Sequence, residues 1–141
     1  MAAYVKYQLG IEKMMEAGNA GTDTWQIILS NTAPNVSTNT TAVSATELGT
    51  SGGYTAGGVN CTITSAVSTA GVYKLILAAP ASPTWTASGG GFTFQYVILY
   101  NLSLTQCIGY WDYGSAVVMN GTNADTFTPT LDAVNGVFTI S

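Results

Sequence analysis

The sequence predicts a mainly β protein, either an antiparallel β-sandwich or a small barrel of about eight short strands, with a short N-terminal α-helix. One observation behind this prediction is the alternation of apolar and polar residues along most of the chain after residue 20. Another is the close spacing of turn-forming residues between the alternating runs. The third is composition, since charged residues make up only 7% of the 141 residues. This length suits a single β domain spanning residues 1–141.

An amphipathic helix is predicted over residues 4–17, inside a helical segment that spans residues 1–18. Gly18 offers a stop, because glycine commonly follows the last turn of a helix. The side chains that recur at helical spacing are Tyr4, Val5, Gln8, Ile11, Met14 and Met15.

The first strand is predicted at Trp25–Ser30, and a long polar loop follows over residues 31–58. Loops of that length in compact domains are usually functional or disordered. The next strand is Val59–Ser68, and Val72–Ala78 is its hairpin partner across the turn Ala70-Gly71. The residues expected on one face of the first of these strands are Val59, Cys61, Ile63 and Ser65.

The clearest strand is Phe92–Tyr100, whose C-terminal half is apolar on both faces and is therefore expected to be buried on both sides. The remaining strands are predicted at Cys107–Tyr113, Ala116–Met119, Thr126–Leu131 and Val137–Ile140, with a short piece that begins at Trp85. The last two of the four form a hairpin. Pro129 indicates that the first strand of that hairpin lies at a sheet edge.

Charge excludes several classes of function. The chain has no His and no Arg, three Lys residues carry all of its positive side-chain charge, and the net charge is −4. Nucleic-acid grooves need clustered Lys and Arg, so we expect no direct nucleic-acid binding. We also expect no membrane span, because the most apolar run, Val72–Ala81, is short and contains Pro80. Charges interrupt the first 18 residues, so we expect no signal peptide and a cytoplasmic site of synthesis.

The residue types that serve most catalysis are scarce. Without His, neither a hydrolytic triad nor a zinc site can be assembled, so we expect no enzyme activity, no cofactor and no metal. Asp112 is the most interesting carboxylate, and a turn-binding role is favoured over that of an acid catalyst. The loop Asn120–Asp125 offers oxygen ligands but only one carboxylate, so turn chemistry explains it without an ion.

The two cysteines, Cys61 and Cys107, allow one disulfide or two free thiols. A reducing cytoplasm disfavours the disulfide. Because unpaired Cys is usually buried, we favour buried free thiols.

The three Trp and eight Tyr residues leave two interpretations open. A row of exposed aromatic rings would bind sugars, as in a carbohydrate-binding module. Trp and Tyr also concentrate in cores and subunit contacts. We expect Trp25 and Trp85 in the core, while Trp111 could face either way.

Six segments in chain order, spread between residues 24 and 136, carry a family resemblance. They are Thr24–Asn31 after the helix, Gly52–Gly58, Thr84–Trp85, Gln95–Tyr100, Ile108–Gly114 and Phe127–Gly136. In this order they resemble a family of small virion proteins from the structural-gene modules of tailed bacteriophages and prophages.

The resemblance implies a decoration, or cement, protein that binds across subunits of the major capsid protein and stabilises the phage head. It implies a place on the capsid surface, assembly in the host bacterial cytoplasm, and a homo-oligomer, with the trimer taken from analogy. A neck, tail or fibre-base component and a carbohydrate-binding attachment module remain alternatives. The helix and the 31–58 loop are the expected contact regions. The candidate partner-contact residues are Tyr4, Tyr7, Ile11, Met15, Tyr54 and Trp111.

Overall fold

The structure is a computed structural model that describes residues 2–82 and 84–141, so the first residue of the predicted helical segment lies outside it. Strands make up 43% of the chain and helix 7%, which confirms the mainly β prediction with one short helix. The elements in chain order are β1 Tyr4–Lys6, α1 Gln8–Ala17, β2 Trp25–Ser30, β3 Val59–Asn60, β4 Thr62–Thr69, β5 Val72–Ala78, β6 Trp85–Thr86, β7 Phe92–Asn101, β8 Gln106–Met119, β9 Thr126–Phe127 and β10 Phe138–Ile140.

The strands form three antiparallel sheets in a layered, sandwich-like arrangement. A five-stranded sheet has the order β1-β8-β7-β2-β3, a three-stranded sheet has the order β10-β5-β4, and β6 pairs with β9. One face of the five-stranded sheet packs against the other two sheets through a shared core. Large members of this core are Trp25, Leu29, Leu75, Trp85, Leu99 and Phe138.

The opposite face of the five-stranded sheet is also covered. Residues 31–58 contain turns and isolated bridges in place of regular strands, as predicted, and part of this segment lies over the sheet. The end of β7, from Tyr96 to Asn101, is buried throughout, which confirms burial on both sides. The buried residues of this second core are Tyr7, Ile28, Ala45, Tyr96, Ile98, Tyr100 and Cys107.

The predicted helix over residues 4–17 is wrong at its N-terminal end. Tyr4–Lys6 forms β1, which pairs with β8, and α1 begins only at Gln8. Three residues are too few for spacing to distinguish a strand from a helix turn. In the part of the chain that the structure describes, no helix is long and apolar enough to cross a membrane.

The predicted strand Val59–Ser68 is divided at Cys61 into β3 and β4, and its facing changes along its length. Cys61 and Ile63 pack towards the core, as expected. The register with β5 then shifts between Ile63 and Ser65, which marks a β-bulge. After the bulge Ala66 packs on the core and Ser65 lies on the outer face, so the prediction for Ser65 is wrong.

The predicted hairpin at the end of the chain is also wrong. β9 is only two residues long and pairs with β6, while β10 pairs with β5. Pro129 cannot donate a ladder hydrogen bond and follows β9 closely, so the strand does not continue to meet β10. The strands β2 and β5 have their predicted bounds, and β8 joins two segments that were predicted separately.

Candidate interaction surface

The structure places most of the predicted contact residues inside the molecule. Tyr7 and Tyr54 are fully buried, and Trp111 is 6% exposed. Tyr4 packs on Trp111 with ring centroids 4.7 Å apart, and Ile11 is half-buried against the core. Of these six side chains, Met15 alone is largely exposed, at 63%. The contact role stays a prediction, and Met15 is the residue that offers its side chain to a partner.

Tyr54 fastens the long segment to the five-stranded sheet. Its hydroxyl donates to Oε1 of Glu47 over 2.7 Å and accepts from the N–H of Leu29 over 3.1 Å. The same carboxylate oxygen accepts from the N–H of Gly57 over 2.6 Å. Burial raises the pKa of Tyr54 well above its usual range, so the phenol stays protonated and can donate. Tyr54 therefore has a structural role within the chain.

Exposed apolar side chains define the candidate surface. Single exposed residues of this kind are ordinary in proteins, so only a cluster of them is informative. Val67 and Val134, which are 56% and 75% exposed, belong to one cluster. The other exposed members of this group are Val5, Met15, Val43, Leu102, Tyr113, Val118 and Ile140.

The cluster forms a groove of about 490 Å³ on the outer face of the β4–β5 hairpin. Among the described residues that line it, Lys74 alone is charged, and its Nζ donates to the carbonyl of Val134 over 3.4 Å. We call this feature the β4–β5 groove. Its strand residues are Ser65, Val67 and Thr69 from β4, and Val72, Lys74 and Ile76 from β5.

The carboxylates considered for chemistry accept hydrogen bonds from other groups of the protein itself. Oδ1 of Asp112 accepts from Nε2 of Gln95 over 3.0 Å and from the N–H of Gly114 over 2.7 Å. These bonds, that from Gln95 first, lower the pKa of Asp112 below its usual range. This geometry confirms the turn-binding interpretation of Asp112.

The loop Asn120–Asp125 is explained by turn chemistry in the same way. Oδ2 of Asp125 accepts from the N–H of Asn120 over 2.8 Å, and Oδ1 of Asn120 accepts from the N–H of Thr122 over 2.8 Å. Within residues 2–82 and 84–141, no group of three or more His, Cys, Asp or Glu side chains is placed to hold a metal ion.

Both cysteines are free thiols, as favoured from the sequence. The predicted burial is confirmed for Cys107, while Cys61 is only half-buried. Burial raises the pKa of each thiol to about 12. Since the thiolate is the reactive form, both residues are protected at neutral pH.

The three indoles belong to the core. Trp25, Trp85 and Trp111 are 1%, 5% and 6% exposed. This confirms the core positions predicted for Trp25 and Trp85, and it shows that Trp111, whose direction was left open, also faces the core. They do not form the exposed row that a sugar platform needs. Tyr113 is 38% exposed, and its ring packs against the ring of Phe94 at a centroid distance of 5.9 Å.

Fold and surface together define a mainly β, antiparallel protein with an apolar groove on one sheet face. Comparison with protein-family models, with curated proteins and with solved structures gave no match. The resemblance to phage virion proteins therefore rests on the six sequence segments.

Proposed function

We propose that this protein is a structural component of a tailed-phage particle, and specifically a decoration protein on the capsid surface. Its partners are the major capsid protein and further copies of itself, with a trimer favoured by analogy. The six-segment resemblance supports the phage assignment. The observation that carries the adhesive mechanism is the β4–β5 groove, an exposed sheet face with Lys74 as its charged member. Such a face gains free energy when another protein covers it.

The mechanism is adhesion through apolar contact. A standard-size interface buries about 1,600 Å² in total, and each Å² of apolar surface contributes about 25 cal/mol. Much of this gross gain is offset by lost translational and rotational freedom. Repetition over a capsid lattice multiplies the remainder through avidity, so a modest contact per copy is sufficient.

The exposed side of α1 is the second proposed contact region. Removing residues 1–17 is a poor test, because it uncovers the edge of β8 and takes Tyr7 out of the second core. Met15→Glu changes a side chain that is 63% exposed and leaves the core intact. If α1 docks on the shell, this variant binds heads more weakly than the parent and unfolds at the same urea concentration. Unchanged shell binding removes α1 from the interface.

The decisive experiment adds the purified protein to phage heads that lack decoration and examines them by electron microscopy. We expect many copies distributed over the head and a higher temperature of head disruption. A few copies at one vertex would favour the neck, tail or fibre-base alternative. Absence of binding to any part of the particle contradicts the proposal.

A further inference from the structure

The three-stranded sheet ends at β4 in an unprotected edge. β4 pairs with β5 on one side and is the last strand of its sheet on the other. It contains no charged residue, no proline and no glycine. Sheet edges are normally protected by shortness, charge, proline or a β-bulge. The bulge of β4 lies between Ile63 and Ser65, so the run from Ser65 to Thr69 beyond it carries no charge, no proline and no further bulge. The five-stranded sheet follows this rule, since its edge strands β1 and β3 have three and two residues, and β1 carries Lys6.

The hairpin turn determines which backbone groups of β4 face the open edge. Ala70 and Gly71 have φ angles of 51° and 80°, the signature of a two-residue type I′ turn. The flanking pair is then hydrogen-bonded, and the pairs behind it alternate between non-bonded and bonded. Ser68 and Ala66 fall in the non-bonded pairs, so their N–H and C=O groups point away from β5.

A hydrogen bond on the far side of β5 supports this assignment. Leu75 lies opposite Ala66, and its carbonyl accepts from the N–H of Val137 over 2.9 Å. The Leu75 carbonyl is thus directed towards β10 and away from β4. Ala66 must therefore find its backbone partners on the open edge, in water or in another strand.

We propose that β4 pairs with β4 of a second copy of this chain, antiparallel about a twofold axis at Val67. In this register Ala66 of each copy exchanges two hydrogen bonds with Ser68 of the other. All four outward groups of these two residues are then paired. The two Val67 residues form the non-hydrogen-bonded pair on the axis, where Cα atoms approach to about 4.5 Å and side chains are closest.

The chemistry of the edge selects a second copy as the occupant. In twofold self-pairing a charged residue at the axis or next to it would lie close to its own copy, and Ala66, Val67 and Ser68 are all uncharged. Lys74 lies opposite Val67 on β5. The two Lys74 residues of the dimer are thus three strand spacings apart, about 14 Å, which exceeds a Debye length of about 8 Å at physiological salt.

The pairing also explains the exposed valine. Val67 is 56% exposed in the single chain and lies in the β4–β5 groove. In the dimer it packs against its own copy, and two three-stranded sheets become one sheet of six. This inference deepens the proposed function, because it names one contact for self-association. It rests on self-association and not on the capsid, and any threefold contact uses other surfaces.

The test measures the mass of the purified full chain in solution by light scattering and analytical ultracentrifugation. We expect the parent to contain the twofold contact, as a dimer or, where the proposed trimer also forms, as a hexamer. For Val67→Lys we expect a dissociation constant of this twofold contact at least about 100-fold higher, because two ammonium groups then meet on the axis. Val118→Lys is the matched control. Val118 is 69% exposed and lies in β8 of the five-stranded sheet, so this variant should leave the twofold contact intact.

A cross-linking arm keeps the test independent of any loss of folding. Val67→Cys should form an intermolecular disulfide on mild oxidation, because a close non-hydrogen-bonded pair has suitable geometry, while Val118→Cys should not. The inference is overturned by a monomeric parent, by a dimer that survives Val67→Lys, or by equal cross-linking of the two cysteine variants. A monomer that still binds phage heads would overturn this inference and leave the decoration function standing.

Discussion

At the level of single residues, two glycines determine how closely the N-terminal elements approach β8. A Cβ on Gly10 would lie 2.3 Å from the carbonyl oxygen of Cys107. A Cβ on Gly109 would lie 2.1 Å from the hydroxyl of Tyr4. The missing side chains therefore let α1 and the ring of Tyr4 rest directly on the strand.

Gly10→Ala should lower the free energy of unfolding, because forcing an extra methyl group into a packed contact costs about 1–3 kcal/mol. The higher helix propensity of Ala returns roughly 1 kcal/mol of this cost, so the net loss is up to about 2 kcal/mol. Urea unfolding followed by tryptophan fluorescence measures it. Gly49→Ala is the control, because nothing lies within 4 Å of a Cβ at that position. A variant at least as stable as the parent contradicts the close packing.

The turn carboxylates make stability depend on acid pH. Asp132 accepts from the N–H and Nδ2 of Asn135 and from the N–H of Val134, and these bonds, those from Asn135 first, lower its pKa. A lowered pKa stabilises the fold above the unfolded value of about 3.9, and this contribution is lost as pH falls through the folded value. Asp132→Asn should flatten the fall in stability between about pH 5 and pH 2. An unchanged slope would exclude Asp132 as a source.

At the level of elements, the segment 31–58 depends on a few polar anchors. The Tyr54 hydroxyl links Glu47 to the backbone of Leu29, while Oγ of Ser30 donates to the carbonyl of Ala45 over 3.0 Å. These anchors lie where the segment meets β2, so they hold it over the sheet without regular secondary structure. Val43, which is 89% exposed, is thereby presented on an ordered support.

Tyr54→Phe should destabilise the protein by about 1–3 kcal/mol, because the buried N–H of Leu29 loses its partner. It should also speed proteolytic cleavage within residues 31–58. Tyr113→Phe is the matched control, since that ring is 38% exposed and its hydroxyl can bond to water. Equal stability and equal cleavage rates in the two variants would show that the hydroxyl of Tyr54 does not hold the segment.

At the level of the whole molecule, low charge determines how association responds to salt. The net charge of −4 is small, and among the described residues that line the β4–β5 groove Lys74 alone is charged. Electrostatic attraction and repulsion therefore contribute little to the free energy of association, which comes mainly from the burial of apolar surface.

Self-association and binding to phage heads should change by less than about threefold between about 0.05 M and 0.5 M sodium chloride, a range over which the Debye length falls severalfold. Ultracentrifugation measures the first and a head-binding assay the second. Sodium chloride is the suitable salt, because sulfate itself strengthens apolar burial. A collapse of binding at the higher concentration would exclude the apolar mechanism.

Much of the sheet structure could be predicted because local signals determine it. β2, β5 and most of β7 are runs of branched and aromatic residues between turn residues, and their bounds follow from that pattern. β1 has only three residues, the bulge before Ser65 adds a residue without changing composition, and β9 and β10 pair with strands distant in sequence. These features depend on pairing between strands that are distant in sequence, and the local alternation of apolar and polar residues does not predict such pairing.

The candidate surface was harder to predict than the fold. Tyr54 lies next to glycines in a polar segment, so its sequence context does not indicate that it is buried. Its buried hydrogen-bond partner is Glu47, the one charged residue of that segment. Val67 and Ile76 meet on one face only after the bulge reverses the alternation of β4. The usable signal was the absence of charge and proline throughout Thr62–Thr69, which marks an edge without protection.

Burial of β7 on both faces has a consequence for how the native state fluctuates. Its central amides, from Val97 to Leu99, lie between two cores and can meet solvent only when both coverings separate. Their deuterium uptake should therefore require complete unfolding, whereas the amides at the tip of the β4–β5 hairpin should exchange by local fraying. Deuterium uptake by the amides of β7, measured by mass spectrometry, therefore reports the free energy of global unfolding of the parent protein before any variant is made.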